Sequence, residues 1–144
     1  VTITGDCRSF SEPVQDLIEA RMGQLVAGIC QAHGAEHEFI YDRVFWATIN
    51  SEKETQSAGK AAVALLGQEQ VDLACRPKSI SEDFSSMLRV KDGCYVFLGN
   101  GIDSVGGCML HNPHYDFNDD VLETGAAYWV TLVQQELAAD ALVD

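Results

Sequence analysis

A chain of 144 residues, 47% of them hydrophobic, has the length of one ordinary domain and too much apolar content for a disordered tail. Its 22 acidic residues against 9 basic ones give a net charge of −13, which repels a phosphate backbone and argues against nucleic acid as a partner. No apolar stretch approaches a bilayer span, which argues against a membrane, and five scattered cysteines without a CxxC pair fit a reducing cytoplasm with mostly buried thiols.

Residues 1–10 alternate Val1, Ile3 and Cys7 with Thr2, Thr4, Asp6 and Arg8, the period-two pattern of a strand whose open face carries Arg8. Neither an initiator methionine nor a secretory leader pattern precedes them, so an upstream segment is expected. Residues 11–33 read as an amphipathic helix. Ser11 suits the N-cap, Pro13 the first turn and Gly34 the stop, while Val14, Leu17, Ile18, Met22, Leu25, Val26 and Ile29 recur every three or four residues. Alternation returns over residues 36–46, and strand, helix, strand predicts a right-handed crossover or half of a split β-α-β unit.

Residues 52–66 predict a second helix with Ala58, Ala61, Ala62, Leu65 and Leu66 on one side and Gly67 as its stop, followed by a short strand at 71–75. Ser81, with Glu82 and Asp83 in the first turn, opens a short helix to about Leu88, where acidic residues suit the helix dipole. Residues 94–98 lack alternation and read as an inner strand covered on both faces. Gly99, Gly101, Gly106 and Gly107 surround a loop that delivers Cys108, His111, His114 and Asp116. Asn118 then caps a final helix whose buried stripe is Val121, Leu122, Ala126, Trp129, Val130, Val133 and Leu137. The candidate domain boundary lies at residues 47–51.

The loop at 108–116 holds the densest set of ligand-type side chains, and three readings fit it. Cys108, His111 and His114 form a local zinc site, or His111 is one ligand of a site assembled from distant segments, or both histidines are ordinary loop residues. Pro113 and the missing fourth ligand weigh against the first. Ser81, Glu82 and Asp83 place oxygen donors at a loop-to-helix junction, which suits substrate binding as well as plain capping. Arg8 suits bidentate recognition of a carboxylate, or a surface pair with one of the many acids. A phosphate loop, a G-x-S-x-G elbow and an H-E-x-x-H motif are all absent from the sequence.

Five motifs in order, Gly5-Asp-Cys-Arg8-Ser-Phe10, Ser81-Glu82-Asp83-Phe84-Ser85, Phe97-Leu-Gly99, Leu110-His111-Asn-Pro113 and Asp116-Phe117-Asn118-Asp119, resemble a known family. It is the C-terminal part of the metal-dependent amidohydrolases that include hippurate hydrolase, N-acyl-amino-acid aminoacylases and indole-acetyl-amino-acid hydrolases, a group of dinuclear metallopeptidases. The resemblance implies an α/β fold class. Residues 1–48 would be the second half of a split β-α-β, ferredoxin-like lid that also makes a homodimer, and residues 49–144 the C-terminal α/β portion of the catalytic domain.

The same resemblance implies two divalent metal ions (zinc, manganese, cobalt or nickel) in the complete enzyme, with His111 as one ligand, and an N-acyl amino acid as substrate. Arg8 would grip the substrate's free carboxylate, Ser81 would contact the same end, and Glu82 would line the pocket. Two departures bear on substrate preference: Ile80 stands where relatives usually have glycine, and residues 45–50 read Phe-Trp-Ala-Thr-Ile-Asn where relatives often carry Tyr-Pro-Pro. The remaining metal ligands and the general-base glutamate have no counterpart among these residues, so no catalytic residue is assigned here and the isolated chain is expected to be silent. The rival reading, from a different class, is a non-catalytic dimerisation module.

Overall fold

The computed structural model describes residues 1–101 and 107–140, with side chains through residue 137. Gly106 of the predicted glycine loop lies outside the described residues. Among the described residues four α-helices form: α1 (Glu12–Ala32), α2 (Glu52–Leu66), α3 (Phe84–Leu88) and α4 (Leu122–Asp140), with single 3-10 turns at Gln68–Gln70 and Asp119–Val121. None of the described helices is long and apolar enough to cross a membrane.

The α/β expectation is overturned, because the described residues contain helices and no strand. The segments predicted as strands, at 1–10, 36–46, 71–75 and 94–98, are irregular. Alternation marks which side chains prefer cover, but a strand exists only when a neighbour completes its ladder of N–H and C=O groups. Outside the helices, the described backbone hydrogen bonds are all local, the longest reaching from the Ala35 N–H back to the Cys30 carbonyl. The split β-α-β lid and the α/β portion expected after it are therefore not formed among the described residues.

The chain divides into two compact units. Residues Val1–Asn50 and Arg76–Gly93 make the first, and Ser51–Cys75 with Cys94–Asp144 make the second. In the first, α1 begins at Ser11, whose extended backbone offers its carbonyl to the Gln15 N–H at 3.1 Å. It ends in a Schellman motif: Ala35 N–H donates to Cys30 O at 2.9 Å and Gly34 N–H to Gln31 O at 3.2 Å, with Gly34 at φ +63°. Arg43 ties the following segment back to the helix by pairing with Asp16 at 2.6 Å and with Glu19. Those two carboxylates hold its guanidinium pKa above the ordinary value.

In the second unit α2 packs on α4. Small residues permit the approach, for Ala58 and Ala61 are the buried hydrophobic residues among those described, Ala61 being wholly inaccessible. Gln135 Nε2 donates to the Ser57 carbonyl at 3.1 Å and to Ser57 Oγ at 2.8 Å, while Ser57 Oγ donates to Glu136. These donors, with Lys53 and Lys60 nearby, hold the Glu136 carboxyl below its usual range.

Three sequence expectations about burial change. Leu122, Trp129, Val130, Val133 and Leu137 of the predicted α4 stripe are exposed, whereas Val121, Tyr128, Leu132 and Gln135 are half covered. The helix is apolar on both sides, so composition alone does not choose the side that meets α2. In α1, Ile18, Met22 and Val26 are half buried while Val14, Leu17, Leu25 and Ile29 stay exposed. The cysteines are free thiols and none is buried; Cys7 and Cys75 are exposed and the other three are intermediate.

Candidate functional site

His111 sits in a turn that the local sequence builds around Asn112. The Asn112 N–H donates to Met109 O at 3.1 Å, Asn112 Oδ1 accepts the His114 N–H at 2.9 Å, and Asn112 O accepts the Tyr115 N–H at 2.9 Å. His111 itself adopts φ 68°, the positive φ among the described non-glycine residues. Histidine is one of the residue types that enters this left-handed region, at a cost of about 1 kcal/mol or more, and strained backbone concentrates at functional positions.

The base of this loop is closed by Asn100. Its Nδ2 donates to Asp116 O at 2.9 Å and its Oδ1 accepts the Asn118 N–H at 2.9 Å. Asn118 then accepts the Asp120 N–H at 3.1 Å and caps the 3-10 turn that leads into α4, where the sequence had it capping the final helix itself. Tyr115 and Phe117 stack edge to face with centroids 5.4 Å apart in the irregular segment leaving the loop. The imidazole of His111 is exposed, as is that of His114. Among the described residues no group of three or more His, Cys, Asp or Glu side chains is placed to hold a metal ion. The described residues therefore do not by themselves hold a complete metal centre, which needs several protein ligands per ion.

Ser81 is exposed and Glu82 half buried, ahead of α3. Ser81 is not the cap: α3 starts at Phe84 with Asp83 at its N-cap. Glu82 takes over the job, since its carboxylate accepts the Phe84 N–H at 3.4 Å and its carbonyl accepts Ser85 Oγ at 2.7 Å. A hydrogen bond from Asp83 to Glu82, and the repulsion between the two charges, raise the Asp83 pKa. Arg8 pairs with Asp6 at 2.9 Å and remains substantially exposed. The structure thus places Arg8, Ser81 and Glu82 in the first compact unit and His111 in the second.

Sequence reading missed Asn100, whose role depends on a partner 16 to 18 residues away. It also missed a cluster in the first unit. The Arg89 guanidinium lies 4.1 Å from the centroid of the Trp46 ring, and its Nη1 donates to Glu12 Oε1 at 2.5 Å. Both contacts join residues distant in sequence, and no local pattern announces them.

The chain belongs to peptidase family M20/M25/M40, which it matches over residues 5–135. Among individual relatives, it is 31% identical over 125 residues to YhaA of Bacillus subtilis, whose name includes the word amidohydrolase; the match covers 86% of this chain and 31% of that protein. It is 30% identical over 136 residues to the hippurate hydrolase of Campylobacter jejuni, covering 94% of this chain and 34% of the relative. It is also 33% identical over 94 residues to the IAA-amino acid hydrolase ILR1-like 2 of Arabidopsis thaliana, covering 65% of this chain and 21% of that protein. The chain spans about a third of the length of the first two. No solved structure matches it at a significant level.

Proposed function

We propose that this chain is part of a metal-dependent amidohydrolase that cleaves the amide bond of N-acyl amino acids. The observation that carries the reading is the family match across residues 5–135, together with relatives named for hydrolysis of hippurate and of IAA-amino acids. In the complete enzyme His111 contributes one ligand to a divalent-metal centre whose other ligands lie outside this chain. The strained turn, anchored by Asn112 and Asn100, supports that role by fixing where the imidazole is presented.

Arg8 holds the substrate's free carboxylate, exchanging its present partner Asp6 for it, while Ser81 and Glu82 line the same end. Residues 1–48 belong to the part that dimerises, residues 49–144 belong to the catalytic portion, and the enzyme works in the cytoplasm. The isolated chain is inactive, since one histidine cannot bind and activate a metal-bound water. The test is the metal content and turnover of the complete enzyme carrying His111→Ala. Both are expected to fall sharply, and wild-type values for both would dismiss the assignment.

A further inference from the structure

The first compact unit contains a cavity of about 180 Å³ that none of the residues assigned above lines. Trp46, Ile49 and Leu88 supply its apolar walls, the inaccessible Ser85 is part of its lining, and Glu12 and Arg89 bring opposite charges to it. An apolar cavity of roughly 150 Å³ is enough to hold one benzene ring. The charged side is equally specific. Arg89 stacks on the Trp46 ring at 4.1 Å and already holds one carboxylate, that of Glu12, through Nη1 at 2.5 Å. A guanidinium carries five N–H donors in a planar fork, so a second carboxylate has a free edge to approach or can displace Glu12 outright.

We propose that this cavity is a binding site for a small aromatic carboxylic acid, with the ring against Trp46, Ile49 and Leu88 and the carboxylate on Arg89. Glu12 is the internal competitor: its carboxylate occupies the anchor when the site is empty and sets a modest affinity. The site is separate from Arg8, Ser81 and His111, and its existence does not depend on the amidohydrolase reading, because its test involves no turnover. Ser85 does not act as a ligand group, since its hydroxyl is spent on the Glu82 carbonyl at 2.7 Å. Recognition rests on shape and on the guanidinium.

The experiment titrates benzoate into the 144-residue chain and follows the Trp46 indole N–H by NMR, with acetate and benzyl alcohol as probes that carry only the charge or only the ring. Benzoate is expected to give a saturable shift that neither control reproduces at the same concentration. Arg89→Ala should weaken binding by about tenfold or more, and Glu12→Gln should tighten it by about two- to fivefold, because the anchor loses its competitor. Arg89→Lys keeps the charge but lacks the planar fork, and should lose most of the affinity. The proposal is overturned by a non-saturable benzoate response, by an equal response to acetate or benzyl alcohol, or by unchanged affinity in Arg89→Ala and Arg89→Lys.

Discussion

The backbone N–H of Asn118 donates to the side-chain carbonyl of Asn100 at 2.9 Å, and the other end of the same amide donates to Asp116 at 2.9 Å. One half-buried side chain therefore closes the loop that presents His111 and sets the start of α4. Asn100→Ala removes both bonds at once and is expected to cost about 1–2 kcal/mol. Urea denaturation should register that loss, and hydrogen exchange at residues 107–118 should accelerate more than exchange within α2. Equal acceleration everywhere would mean that the amide is not specific to the loop.

Two carboxyl groups should bend the pH dependence of stability in opposite directions. The folded-state pKa of Glu136 is depressed by Ser57 and Gln135, so its contribution is present above the ordinary carboxylate range and is lost as pH falls through the depressed value. Asp83 is raised by Glu82, so its contribution is present below the ordinary range and is lost as pH rises through the raised value. Denaturation midpoints between acid and neutral pH should therefore lose part of their rise in Glu136→Gln and gain slope in Asp83→Asn. Parallel curves for both variants would remove these pairs from the account.

Gly28 within α1 and Gly34 just past its end predict opposite outcomes for the same substitution. A Cβ at Gly28 meets nothing within 4 Å and sits in a regular helix, so Gly28→Ala should stabilise by about 0.5–1 kcal/mol. Gly34 also has open space, but its φ of +63° belongs to the Schellman motif, and Gly34→Ala should destabilise by about 1 kcal/mol. Thermal melts of the two variants should move apart, and a common direction of shift would contradict the cap geometry.

At position 111 backbone and side chain are expected to pull against each other. His111→Gly relieves the positive φ and should raise stability by up to about 1 kcal/mol, whereas His111→Ala keeps the strain. Both variants should strip metal and turnover from the complete enzyme, since both delete the imidazole. Retained metal in His111→Gly would leave the turn as structure alone.

Arg8→Ala should weaken the complete enzyme's binding of carboxylate-bearing substrates, seen as a raised KM, while metal content stays near wild type. Its present partner Asp6 lies two residues away on the exposed surface, and such a pair contributes little to folding. Unchanged kinetics would end the carboxylate role.

Helix existence, most helix ends and family were legible in the sequence by itself, because the signals are local or strung along one chain; the start of α3, at Phe84 and not Ser81, was not. Ser11 and Gly34 bracket α1, Gly67 stops α2 at Leu66, and Asn118 caps the turn into α4, each through bonds to residues within five positions, with Pro13 fitting the first turn of α1. The five motifs carried the family for the same reason. Pairing and facing were not legible, because they depend on partners. Alternating residues such as Val1, Ile3 and Cys7 found no ladder, and α4, apolar on both sides, turned Tyr128 and Leu132 into cover while leaving Trp129 and Val133 exposed. Only tertiary structure brought Arg89 onto Trp46 and Asn100 under the His111 loop, since a guanidinium or an amide carries no mark in the sequence of the distant group it will meet.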